Sequence, residues 1–170
     1  MAATLPNVSP DLIWEVVRSQ NAFLVNRNDA GGLQLSRDPL NLVNKHSRKY
    51  AGFVNDKRYE ATVTDKIHNQ AIGVVPNEKG GVKVISKNQK NGNKPAKSLT
   101  EVTYGGNKSA RKTYSAVARQ AAAGGYRADL REAAVQRVSA IRLAQRPVKP
   151  TPEKKPRGNK AKKANTETEA

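Results

Sequence analysis

Residues 126–146 read YRADLREAAVQRVSAIRLAQR, from Tyr126 to Arg146, and Pro147 follows. Asp129 supplies the acid that a helix favours in its first turn, and the proline ends the segment. With Leu130 placed at zero and about 100° per residue, Ile141 falls near 20°, Ala134 near 40° and Val138 near 80°. Ala144 and Ala133 fall near −40° and −60° on the same scale. This is one narrow, alanine-rich stripe on a rod of roughly 30 Å, and it must face a core. Arg131, Arg142 and Arg146 run along its edge, while Arg137 lies inside the stripe. Arg127 sits just before the helix, so the segment carries five arginines and no lysine. A guanidinium forms bidentate, planar contacts with phosphate and stacks on bases, which an ammonium cannot do. Arg137 either snorkels past its small neighbours Ala133, Ala134 and Ala144 or reaches a phosphate close to the docked helix, and the close approach that these alanines permit favours the second.

Working outward, residues 107–123 also have helical period, with Ala110, Tyr114, Val117, Ala118 and Ala121 on one face. Gly124-Gly125 stops that helix. Further upstream the period changes to that of strands. Val74-Val75 and Val82–Ile85 flank a turn at Pro76–Gly81 and predict a hairpin, and Leu99–Tyr104 is a short extended piece. Residues 53–64 have strand-like content in Phe53, Val54, Tyr59 and Val63. Ala22–Val25 and Leu33–Leu35 flank the turn formers Asn28–Gly32 and predict a second hairpin. Ser9-Pro10-Asp11 reads as N-cap, first-turn proline and first-turn acid of a helix to about Arg18. Leu12, Ile13, Val16 and Val17 should face inward, with Trp14 as packing. Ser47–Gly52 reads as an exposed basic-aromatic turn. The fold class is α/β of the α+β type: a small antiparallel sheet with packed helices, two basic C-terminal helices and a disordered basic tail.

Charge divides the chain. The sequence has 31 Lys and Arg against 14 Asp and Glu in 170 residues, a net charge of +17. Residues 1–104 hold 15 basic and 9 acidic side chains, whereas residues 105–163 hold 16 and 3. A mildly basic body over 1–104, with a flexible Lys-, Asn- and Gly-rich connector from about 86, therefore precedes a basic helical region over 105–148. Residues 149–170 form the tail, where Pro150, Pro152 and Pro156, following Pro147, are interspersed with lysines. So much charge on one sign repels itself and calls for a polyanionic partner, of which nucleic acid is the commonest. Leu, Ile, Val and Phe total only 33 residues, a thin core. Without RNA, ordered structure is expected over residues 12–85 at most.

Other functions find no residues. The chain has no cysteine and two histidines, His46 and His68, the latter read as a lone loop residue. Disulfides, cysteine-ligated zinc and histidine clusters are excluded. No phosphate-cradling glycine loop occurs, and Asp56, Glu60 and Asp65 lie in a basic stretch that reads as a solvated face. Ser109 and Ser115 have no base beside them. No enzyme, cofactor, metal, membrane or small-molecule substrate is expected. With neither a membrane span nor a secretory signal in view, a cytosolic or nuclear place is the default. The candidate RNA contacts are Arg48, Lys49 and Tyr50 in the turn, then Lys108, Arg111, Lys112 and Arg119 on the first basic helix. Tyr126, Arg127, Arg131, Arg137, Arg142 and Arg146 complete them.

The residues also carry a resemblance. Tyr126-Arg127-x-Asp129-Leu130-Arg131-x-Ala133-Ala134-x-x-Arg137-x-Ser139-Ala140-Ile141 resembles the C-terminal signature of a eukaryotic cytosolic ribosomal protein family of the large subunit, the one numbered twenty-eight in the eukaryotic series. Pro147-Val148 and the upstream Lys108-x-Ala110-Arg111 fit as well. So do Trp14-x-Val16-Val17-Arg18, Phe23-Leu24-Val25-x-Arg27-Asn28, Asp38-Pro39-x-Asn41-Leu42 and Ser47-x-x-Tyr50-x-Gly52, although the family usually has Asn where Ala51 stands. The similarity spans roughly residues 12–148 in one order. It implies a protein lodged on large-subunit ribosomal RNA beside neighbouring ribosomal proteins, on cytoplasmic ribosomes assembled in the nucleolus. A related domain occurs in a nucleolar assembly factor of the large subunit, the alternative reading. Those relatives tend to carry cysteines and acidic tails, and this chain has neither a cysteine nor an acidic tail before its last seven residues. A linker-histone-like chromatin protein would be lysine-dominated and would lack the strand-rich body.

Overall fold

A computed structural model describes residues 8–54, 56–57, 68–88, 91, 94–152 and 158. The architecture is α+β. The chain begins with α1 (Pro10–Val17), whose N-cap Ser9 accepts from the Leu12 amide. Its inward face is narrower than the sequence suggested. Ile13, Trp14 and Val17 are half-buried, but Leu12 and Val16 are exposed at 58% and 70%. A helix of two turns lying on a surface can bury only one line of side chains. Trp14 packs on the ring of His46, with centroids 5.0 Å apart.

The first hairpin forms as expected, β1 (Leu24–Arg27) pairing antiparallel with β2 (Leu33–Ser36). Residues 38–54 then fold without strands. Asp38 is buried, and its carboxylate accepts from the amides of Leu40 and Gly52, which closes the segment on itself. The turn at 47–52 is therefore only partly exposed. Lys49 faces solvent, but Ala51 and Gly52 are buried. Phe53 and Val54 lie in a turn and not in a strand, and Tyr59 and Val63 lie outside the described residues. β3 (Asp56–Lys57) pairs with β4 (His68–Asn69), so His68 belongs to a short strand rather than a loop.

The main sheet has three antiparallel strands in the order β5 (Ile72–Pro76), β6 (Gly81–Lys87), β7 (Leu99–Gly105). The extended piece expected at Leu99–Tyr104 is this edge strand, in register from Gly81↔Gly105 to Lys87↔Leu99. Strand alternation sends Ile72, Val74, Val82 and Val84 to one face. Two helices cover it: α2 (Ala110–Ala122), capped by Ser109, and α3 (Arg131–Ala144). Gly124 and Gly125 separate them with φ of +59° and +69°, a left-handed turn that β-carbons disfavour. Most of the predicted apolar stripe is buried: Leu130, Ala133, Ala134 and Val138 meet Val117 and Ala121 above the sheet, Ile141 is half-buried, and Ala144, at the end of α3 past the edge of the core, is exposed. Asp129 sits one turn earlier than expected, in a short 3-10 turn over Ala128–Leu130.

The opposite face of the sheet meets the N-terminal segment. A β-carbon on Gly73 would collide with the Pro39 carbonyl oxygen, so the two backbones touch there. Ile13, Phe23, Leu40, Phe53, Ile85 and Leu99 line an apolar space of about 410 Å³ between these layers. Residues 105–146 thus share one core with the sheet. The reason is that alanines pack helix backbones close, so small side chains cover valines that larger ones would hold apart. Of the tail, residues 153–157 and 159–170 lie outside the described residues, including Lys160, Lys162 and Lys163.

Candidate nucleic-acid interface

α2 and α3 lie side by side, and their outer surfaces leave a groove of about 980 Å³. Its floor is small and apolar, formed by Ala118, Ala122, Ala128 and Val135 with the half-buried ring of Tyr114. Its walls are Arg111, Ser115 and Arg119 from α2, Asp129 just before α3, and Arg131, Glu132 and Gln136 from α3. The α2 wall is spaced i, i+4, i+8, so helical period lines these side chains up. All three arginines are exposed, and none pairs with a carboxylate among the described residues. A guanidinium can grip a phosphate with its fork while its flat face stacks, so exposed arginines beside an apolar floor have the chemistry for a polyanion.

The remaining candidates separate by what they already bind. Lys108 and Lys112 are exposed at the start of α2, with the Lys108 Nζ 5.6 Å from the Tyr104 ring centre. Arg146 is exposed beyond the end of α3. In the 47–52 turn, Arg48 pairs with Asp11 at 3.1 Å, and Lys49 lies over the half-buried Tyr50 ring. This turn is not part of the groove.

Three candidates face inward. Arg127 is 6% exposed, and all three of its guanidinium nitrogens donate within the protein. Nε and Nη2 donate to Asp129 at 2.9 and 2.8 Å, Nη1 to the Gln70 carbonyl at 3.1 Å and Nη2 to the Lys49 carbonyl at 3.1 Å. It ties the start of the helical pair to the N-terminal segment and to β5. The Asp129 carboxyl is raised by its burial, but the Arg127 hydrogen bonds and charge outweigh this and hold it below the ordinary 3.8. Tyr126 directs its hydroxyl into the protein, donating toward the carbonyls of Ala71 and Lys87, both at 2.9 Å, and accepting from the Ala71 amide. Burial pushes its phenol up, so it stays neutral. Arg142 donates to Thr113 Oγ1 and to the carbonyls of Gly106 and Lys108, which staples α3 to the entry of α2. These three position the helices.

Arg137 is half-buried on the inward-facing stripe. Its Nε is out of contact with solvent and has no hydrogen-bond partner among the described residues. Glu132, Gln136 and Ser115 did not emerge from the sequence as site residues. The i, i+4 lines on each helix were legible, but which line of α2 would face which line of α3 was not.

A small α+β scaffold thus carries exposed arginines on the two helices that border one groove. The chain belongs to the Ribosomal L28e protein family, whose model matches residues 12–144. It is 42% identical over 144 residues to a large ribosomal subunit protein eL28 of Schizosaccharomyces pombe, covering 84% of this chain and 97% of that one. It is 31% identical over 152 residues to the eL28 of Dictyostelium discoideum, covering 89% and 100%. Similarity to the eL28 of Caenorhabditis elegans is 32% over 97 residues, 56% of this chain and 63% of that one.

Proposed function

We propose that this protein is a structural constituent of the large ribosomal subunit that binds and stabilises ribosomal RNA through the outer face of α2 and α3. The observation that carries the reading is the set of exposed arginines, Arg111, Arg119 and Arg131, which have no carboxylate partner among the described residues and line one groove. Lys108 and Lys112 extend the same face toward the end of β7, and Arg146 extends it past α3. The role is architectural, with no reaction for the chain to catalyse and no cofactor to hold. Its partners are large-subunit ribosomal RNA and neighbouring ribosomal proteins, on cytoplasmic ribosomes after assembly in the nucleolus. The basic body of residues 1–104, the basic helical region of 105–148 and the tail of 149–170 contribute in that order of increasing charge density.

Sucrose-gradient fractionation of cells carrying the tagged chain tests this. Stable comigration with mature large subunits in moderately high salt is expected. Migration only with precursor particles would assign it to assembly, and migration with chromatin or at the top of the gradient would overturn the reading.

A further inference from the structure

Phosphate binding explains Arg111, Arg119 and Arg131 but not the two carboxylates lining the same groove, Asp129, which Arg127 holds, and Glu132. Glu132 is exposed on the α3 wall of the same groove, one residue from Arg131. On a surface that only grips phosphates, this carboxylate repels the ligand. It also pairs with none of the arginines within ion-pair distance among the described residues. The groove floor is equally unsuited to phosphate, since it consists of alanines, Val135 and the ring of Tyr114. Both features fit the edge and the face of a base. A carboxylate accepts from the amino and imino N–H groups that bases carry on their edges. An aromatic ring beside guanidiniums stacks bases.

Resting on the RNA-binding reading above, we infer that the groove between α2 and α3 takes an unpaired nucleotide of RNA. Its base lies on Tyr114 with an N–H edge toward Glu132 and Gln136, and its flanking phosphates lie on Arg111, Arg119 and Arg131. A double helix does not fit this site. Its bases are stacked and paired, its major groove is deep and narrow, and it offers a protein surface mainly phosphates and 2′-hydroxyls. A bulge, loop or strand end can lower a base into a groove. At about 980 Å³ the space lies at the top of the usual range for ligand clefts, roughly 300–1,000 Å³.

The sign of one substitution separates base reading from phosphate gripping. Binding of the full-length protein to two labelled probes is measured by fluorescence anisotropy at one salt concentration. One probe is a short unstructured RNA strand of mixed sequence, and the other is the same strand in a blunt duplex. The wild type should prefer the single strand. Tyr114→Leu should weaken the single strand about tenfold, the scale of one lost base–aromatic stack, and leave the duplex unchanged. Tyr114→Phe keeps the ring and should keep the preference. Glu132→Ala should weaken the single strand and strengthen the duplex, because for the duplex the carboxylate is only a repulsive charge. Glu132 is exposed, so its variant folds whatever the fate of Tyr114→Leu. Strengthening of both probes by Glu132→Ala, or equal affinity of the wild type for both, would overturn the inference and leave the RNA-binding reading intact. Failure to bind either probe would overturn both.

Discussion

Arginines of one type, close in sequence, have three different fates here. Arg127 and Arg142 give their donors to backbone carbonyls, a carboxylate and a hydroxyl, and so hold the helices in place. Arg131 faces the groove. Arg137 keeps a buried Nε with no hydrogen-bond partner among the described residues, a state that costs about 1–3 kcal/mol unless a partner arrives. Arg137→Lys retains the charge and removes the fork, so it tests geometry. In cells expressing tagged wild-type and variant chains together, the variant should enter large subunits measurably less often. Equal incorporation would return Arg137 to a purely internal role. At Asp129 the prediction concerns pH. Its folded-state pKa lies below 3.8, so the Arg127 pair contributes stability that is fully present above that pH. The contribution is lost as the pH falls through the lower folded value. Thermal melts of the wild type should lose stability below about pH 4 more steeply than those of Asp129→Asn, which should also be less stable at neutral pH.

Elements are joined here by side chains that imitate backbone. At the end of α3, the Gln145 amide donates to the Gly81 carbonyl at 2.8 Å, and its oxygen accepts from the Gly81 amide at 2.9 Å. Gly81 opens β6, so this pair fixes where along the sheet the helix ends. At the other end of α3, Tyr126 does the same for the start of β5 and the end of β6. The helix is thereby pinned at both ends, and the groove walls are held on rigid elements. Gln145→Ala removes two partly buried hydrogen bonds and should cost about 1–3 kcal/mol in denaturant unfolding. Hydrogen exchange at the Gly81 amide should rise with it. An unchanged midpoint would mean that packing alone sets the position of α3.

At the scale of the whole molecule, the net charge of +17 is not spread evenly over the fold. In the N-terminal layer Arg18 pairs with Glu15 and Arg48 with Asp11. The α2–α3 layer leaves Lys108, Arg111, Lys112, Arg119, Arg131 and Arg146 outward. If these six neutralise phosphates, log K should fall against log salt with a slope of about −4 to −5, at roughly 0.7–0.9 per contact. A salt titration of RNA binding by the full chain that gave a slope shallower than about −3 would show the face to be mostly solvated.

Local pattern carried much of this protein. The hairpin at Val74–Ile85, the stripe of Leu130, Ala134 and Val138, and the stop at Gly124-Gly125 were legible because each depends on neighbours a few residues away. The count of 31 basic residues spoke for a polyanionic partner for a similar reason, since charge needs no fold to be read. Only the tertiary structure decided which arginines were free. Arg127 and Arg131 are four residues apart and chemically alike, yet one meets carbonyls from residues 49 and 70 and the other meets a groove. Those partners lie 57 and 78 residues upstream, and a hydrogen bond depends on distance in space, which sequence period does not encode. The same holds for Leu12 and Val16, apolar by sequence but left outside because only one line of α1 meets the layer beneath.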